Sequence, residues 1–158
     1  MTDFYGNQVE IYSNKFTFQF KRGPNREGNN TIYIEAAKKL DDKSHRANWR
    51  NKIQFTLQPE TELVQFVTFL LGITNKVAFH FHNQKSLDAL RNKDNSFLLT
   101  IGDEDKHSIV VKHHDQFHLL QLCTKPLAER YNVDTNSIMN TLRAIPRPQE
   151  SKPIQNIR

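Results

Sequence analysis

The apolar positions of this chain change period several times, and each change marks an element. Over residues 15–22 the alternation is strict, with Phe16, Phe18 and Phe20 on one side and Lys15, Thr17, Gln19 and Lys21 on the other. Period two is the pattern of a strand with one face in a core and one in water, as antiparallel sheets have. Residues 31–40 repeat it, with Ile32, Ile34 and Ala36 opposite Tyr33 and Glu35. A third strand starts at Lys52 and carries Ile53, Phe55 and Leu57 inward. The period then lengthens. Leu63, Phe66, Val67, Leu70 and Leu71 stand at i, i+3, i+4, i+7 and i+8, the stripe of a one-sided helix over residues 59–71. Pro59 suits its first turn, Glu60 and Glu62 complement the positive end of its dipole, and Gly72 supplies a left-handed stop. Burying those five side chains on a sheet stabilises the fold by at most roughly 1.5–3 kcal/mol each.

Alternation returns over residues 76–82, which predicts Val77, Phe79 and Phe81 inward and Lys76, His80 and His82 outward. Two strand-like runs follow at 96–102 and 107–112, joined by the turn signal Asp103-Glu104-Asp105. The polar stretch 84–95 fits either a short strand or a helical turn through Leu87 and Leu90. From Asp115, expected as an N-cap, helical spacing resumes in Phe117, Leu119, Leu120, Leu122 and Cys123, and Pro126 should kink or end that helix. Asp134 caps a last short helix with Ile138, Leu142 and Ile145. The order is strands, short helix, strands, longer helix. That order predicts an α+β fold of two twisted antiparallel sheets, each followed by a helix, because parallel pairing would need a crossover helix after nearly every strand. Residues 1–13 read as an arm or an irregular first strand, 14–145 as one domain, and 146–158, with Pro146, Pro148 and Pro153, as a flexible tail.

Composition narrows the class. The 158 residues are enough for one domain with a real core, and 37% hydrophobic against 25% charged is the balance of a soluble protein. The longest apolar run, 69–73, is too short to span a bilayer, and the first residues lack a signal-peptide pattern. A cytoplasmic, nucleoid-associated address is expected. Cys123 is the single cysteine, so a cysteine-based metal cage and an intrachain disulfide are excluded, and inert packing is its expected role.

The net charge is +5, and its placement says more than its size. From Lys15 to Lys52 there are ten bases and four acids, a balance of +6 that holds the whole excess. A basic segment interleaved with aromatics and strand pattern suits a surface that tracks phosphates. The plainer alternative is a basic face that serves solubility alone. The outward strand positions Lys15, Gln19, Lys21, Tyr33, Lys52, Gln54, Lys76, His80 and His82 make a candidate nucleic-acid interface, with Arg22 and Arg26 on a loop tip and Lys38, Lys39, Arg46, Trp49 and Arg50 around the next connection. Cations take phosphates, amides meet base edges, and Tyr33 stacks without needing a particular base. Trp49, at a strand entrance, reads as a packing plug or as a stacking platform.

The run Trp49-Arg50-Asn51-Lys52-Ile53-Gln54-Phe55-Thr56-Leu57, the acidic helix ending Phe69-Leu70-Leu71-Gly72, and Val77-Ala78-Phe79-His80-Phe81-His82-Asn83 together resemble the middle of the Whirly proteins. Those are relatives of the transcriptional coactivator PC4 that bind single-stranded DNA. The resemblance covers roughly residues 12–131 in order and spacing. It departs at the lysine, glycine and alanine-rich strand motif that plant Whirly proteins use for assembly, whose nearest counterpart is Ala36-Ala37-Lys38-Lys39-Leu40. The resemblance implies a pair of twisted antiparallel sheets with helices beneath; the sequence offers no phosphate-cradling glycine loop, serine elbow or paired catalytic carboxylate, and neither catalysis nor a cofactor is expected. It also implies a homo-oligomer, dimer or tetramer, joined through the helical side, and an unpaired DNA strand, or RNA, across the sheet faces or edges.

Two other classes compete. His80-Phe81-His82 spells the metal-binding motif of HUH endonucleases, and strict alternation would put both imidazoles on one side, with Tyr131 or Tyr33 as nucleophile. His113, His114 and His118 could gather around a zinc ion, although no carboxylate or cysteine set completes the site. An adaptor that uses the sheet only as a scaffold for an acidic protein partner is the third reading.

Overall fold

The computed structural model describes residues 7–41, 44 and 46–147. The strands form two four-stranded sheets, each antiparallel throughout and in sequential order. The first holds β1 (Gln8–Tyr12), β2 (Phe16–Pro24), β3 (Asn30–Lys38) and β4 (Ile53–Thr56); the second holds β5 (Lys76–His82), β6 (Lys85–Arg91), β7 (Phe97–Gly102) and β8 (Lys106–Val111). Helix α1 (Glu62–Leu70) follows the first sheet, and α2 (His113–Tyr131) and α3 (Thr135–Ala144) follow the second. This is the sheet-then-helix duplication that the periods predict.

One apolar cluster joins both units. Phe18, Phe20, Ile34 and Phe55 of the first sheet, Phe97 and Leu99 of the second, Phe66 and Phe69 of α1 and Leu119 of α2 are all within 1% of complete burial. Helix α2 lies against β1, β2 and β3, and α1 lies against α2 and β5. The helices therefore cover the inner faces of the sheets. The outer face of the first sheet carries mostly polar residues, of which Thr17 and Glu35 are nonetheless buried, as is Ala37 opposite Thr17.

Several local details differ from the patterning. Of the first thirteen residues, Gln8–Tyr12 form an edge strand, and residues 1–6 lie outside the described residues: β1 pairs with β2 through Val9↔Phe20 and Ile11↔Phe18, and Ile11 is buried. The polar stretch after residue 84 is β6, with Leu87 and Ala89 buried. Phe69 joins the α1 stripe as a fully buried residue, while Leu71 is half-buried. Gln58 accepts from the backbone N–H groups of Glu60 and Thr61 at 2.7 Å each and so closes the turn before α1, and Gly72 takes φ +79° after it.

Pro126 does not end α2, which runs on to Tyr131. A buried proline inside a helix costs about 3 kcal/mol, but Leu122, Cys123, Leu127 and Ala128 around it are all buried, and that packing holds the helix together. Asp115 lies in the first turn and is not the N-cap, a position held by Lys112 in extended backbone; the carboxylate still complements the dipole. The helix stops at Asn132, left-handed at φ 53°. Asp134 caps α3 as expected, accepting from Ser137 N at 2.8 Å, but Ile145 at its end is exposed. Cys123 is buried and its thiol pKa pushed up by that burial, so it is inert packing. No described helix is long and apolar enough to cross a membrane. The tail beyond Arg147 lies outside the described residues.

Candidate nucleic-acid interface

The register of the first sheet places the predicted residues in rows on its outer face. One row runs Gln8, Lys21, Tyr33, Thr56, and the next runs Glu10, Gln19, Glu35, Gln54. Lys52, just before β4, joins them by bonding Glu35. Gln19, Lys21, Tyr33, Lys52 and Gln54 therefore form one continuous surface. The Tyr33 ring lies along β2 over Gly23, where an added Cβ would meet its Cε2 at 3.1 Å. A side chain at position 23 would push that ring away by a few tenths of an ångström.

The face is less cationic than its lysines suggest. Glu35, on the central strand, is 4% exposed; its Oε1 lies 3.0 Å from Lys21 Nζ and its Oε2 2.7 Å from Lys52 Nζ. Burial would raise this carboxyl, but the two ammonium groups outweigh burial and leave its pKa below the ordinary glutamate value. Glu10 accepts from Gln19 Nε2 and, at 2.6 Å, from the Tyr12 hydroxyl, whose pKa this bond raises.

At one end of the face, where β4 meets the β5–β6 hairpin, a cleft of about 580 Å³ opens, lined among others by Arg26, Tyr33, Gln54, His82 and Lys85. Lys85 donates to Gln54 O at 3.0 Å and holds the hairpin against β4. Lys85 was missed in the patterning. Its signal was the turn Asn83-Gln84, whose φ values of 51° and 70° make a two-residue hairpin loop.

His82 corrects the expectation of strict alternation. β5 pairs Phe79 with Leu87 but His82 with Lys85, so one extra residue is inserted as a bulge and the facing flips. His82 turns inward, with Nε2 at 2.8 and 2.7 Å from the Glu62 oxygens and its ring 4.1 Å from that of Phe55. His80 stays outward and bonds Asp88 at 2.9 Å. The two imidazoles thus have different partners, which is not the arrangement a shared metal needs. Among the described residues no three His, Cys, Asp or Glu side chains converge on a possible ion site. Phe81, expected inward with Phe79, has its side chain outside the described residues.

The remaining candidates sort into three places. Lys15, Lys38, Lys39 and Arg46 gather at the end of the first sheet away from the cleft: Lys39 N bonds Lys15 O at 2.8 Å, Leu40 N bonds Arg46 O at 2.8 Å, and Asn48 N bonds Lys38 O at 2.7 Å. Exposed Arg50 and half-buried Trp49 follow in a short 3-10 turn, Trp49–Asn51. Lys76 lies on the outer face of the second sheet, in a row with the exposed Leu90, Leu98 and Val110. Arg22 faces the helices, paired with Glu129 of α2, which also accepts from Asn30 Nδ2 at 2.9 Å. Alternation carried past Phe20 already puts Arg22 on the phenylalanine side.

Two sequential antiparallel sheets, each closed by a helix, with a polar, aromatic-bearing sheet face that no described helix covers, define an α+β fold of the Whirly type. Two solved structures similar to this chain are plant Whirly proteins. The plant transcriptional regulator PBF-2 matches with a TM-score of 0.59 at 14% identity over 87% of each chain. WHY1 from Arabidopsis thaliana matches with a TM-score of 0.57 at 13% identity, over 90% of this chain and 96% of that one. No protein-family profile and no curated protein sequence matches. At such identities the likeness is one of fold.

Proposed function

We propose that this chain is a non-enzymatic protein that binds single-stranded DNA with little sequence preference, through the outer face of the first sheet and the cleft at its end. One observation carries the reading: Gln19, Lys21, Tyr33, Lys52 and Gln54 share a face that no described helix covers and that leads into a cleft bearing Arg26 and Lys85. Stacking on Tyr33 accepts any base, the amides of Gln19 and Gln54 reach base edges, and the cations at both ends of the face take phosphates. The Whirly-type fold supports the same reading, and a homo-oligomer, dimer or tetramer, goes with it. RNA in place of DNA is the partner alternative. Replication, recombination, repair or conjugative transfer, from a cytoplasmic nucleoid-associated position, is the setting that fits such a binder.

Fluorescence anisotropy with labelled single-stranded and duplex oligonucleotides over a salt series, with and without Mg²⁺ or Mn²⁺, tests it. The expected result is preference for single strands, affinity that falls with salt, and no need for metal. Equal binding to duplex, or no binding at low salt, would overturn the proposal. Metal-dependent nicking lost on His80→Ala would select a nuclease instead.

A further inference from the structure

We infer that Lys21, Lys52 and Glu35 form a seat for one phosphodiester of the bound strand, in which Glu35 is a resident anion that keeps the contact weak and exchangeable; this rests on the single-strand reading above. Glu35 stands on β3 between the two lysines, which reach it from β2 on one side and from the entrance to β4 on the other. Its side chain is 5% exposed, whereas those of Lys21 and Lys52 are 37% and 41% exposed. The ammonium groups, and not the carboxylate, therefore meet an arriving ligand. Each ammonium has three N–H donors, and Glu35 occupies only part of that capacity.

The seat is also in the right place. Lys21 is the cross-strand partner of Tyr33, and Glu35 follows two positions along the same strand on the same face, about 6.6 Å on. A base stacked on Tyr33 would hold its phosphate beside this pair. Two lysines and one glutamate leave a net charge of +1, enough to attract a phosphodiester but half of what the lysines alone would offer. A weak seat lets a strand leave or shift without breaking a strong ion pair. A purely structural ion pair would hold the sheet together but leave the salt dependence of binding untouched.

The measurement is anisotropy of a labelled thymidine oligonucleotide over a salt series, with thermal melting of each variant followed by circular dichroism. Glu35→Gln is expected to tighten binding several-fold at low salt and to steepen the log–log salt slope by about 0.7, one further counterion released from a single strand. Glu35→Asp, which keeps the charge, should restore the wild-type slope. Glu60→Gln, whose carboxylate pairs with Arg130 of α2 on the helical side, should leave the slope in place. Should Glu35→Gln not fold, Lys21→Gln and Lys52→Gln carry the test, each expected to weaken binding several-fold and to flatten the slope by about 0.7. A folded Glu35→Gln with unchanged affinity and slope, or lysine variants without effect, refutes the seat while single-strand binding by the wild type stands. A wild type that binds no single strand removes both.

Discussion

His107 on β8 is 5% exposed, its ring 5.3 Å from that of Phe16, and its Nδ1 has no hydrogen-bond partner. Burial pushes its pKa down, nearby Lys38 adds to that shift, and Asp105 and Asp103 oppose it in part. The folded state therefore binds this proton less readily than the unfolded chain. Its contribution to stability is complete above the ordinary value of 6.5 and is lost as pH falls below it. Glu35 has its pKa lowered from 4.5, so its contribution is present above that value and lost further into acid. The melting temperature should fall in two stages on acidification, and His107→Phe should remove the first. A variant whose melting profile keeps the first stage would assign it to another group. Neither effect is legible in sequence, because a histidine in an alternating strand shows its facing but not what lies across the core.

At the scale of elements, local rules succeeded where the cause is local. Asp134 is followed three residues on by Ser137, and the cap forms at 2.8 Å. Asp134→Ala should cost about 1 kcal/mol, seen as an earlier midpoint in urea unfolding with an unchanged slope. Gly72 stops α1 for an equally local reason, since it alone of the nearby residues takes φ +79° without strain. The rules failed where a partner decides. The bulge that turns His82 onto Glu62 depends on the β5–β6 pairing, which no period within β5 contains. Pro126 is tolerated because α2 lies against β1, β2 and β3, and propensity does not record that support. β6 was ambiguous because its inward residues are Leu87 and Ala89, too few and too small to establish a period against polar neighbours.

At the scale of the molecule, the basic excess of the first third separates into parts with different work. Lys21 and Lys52 flank Glu35, Lys15, Lys38, Lys39 and Arg46 gather at one sheet end, Arg26 lines the cleft at the other, and Arg22 ties β2 to α2. Tyr33→Ala should therefore weaken single-strand binding by about 1–3 kcal/mol with little change in melting. Arg22→Ala should lower the melting temperature and leave the salt slope of binding as it was. Anisotropy and thermal melting on the same two proteins check the pair, and the reverse pattern would place the strand on the helical side.

The linear order of residues determined most of the elements, the antiparallel class and the side of β2, β3 and β4 that enters the core, because backbone geometry turns spacing directly into facing. The tertiary structure alone decided which charges are neutralised by a partner, where a bulge reverses the facing, and which residues of different strands line one cleft. Those outcomes depend on groups far apart in the chain, such as Gln54 and Lys85 or Arg22 and Glu129, and distance along a chain carries no record of distance in space.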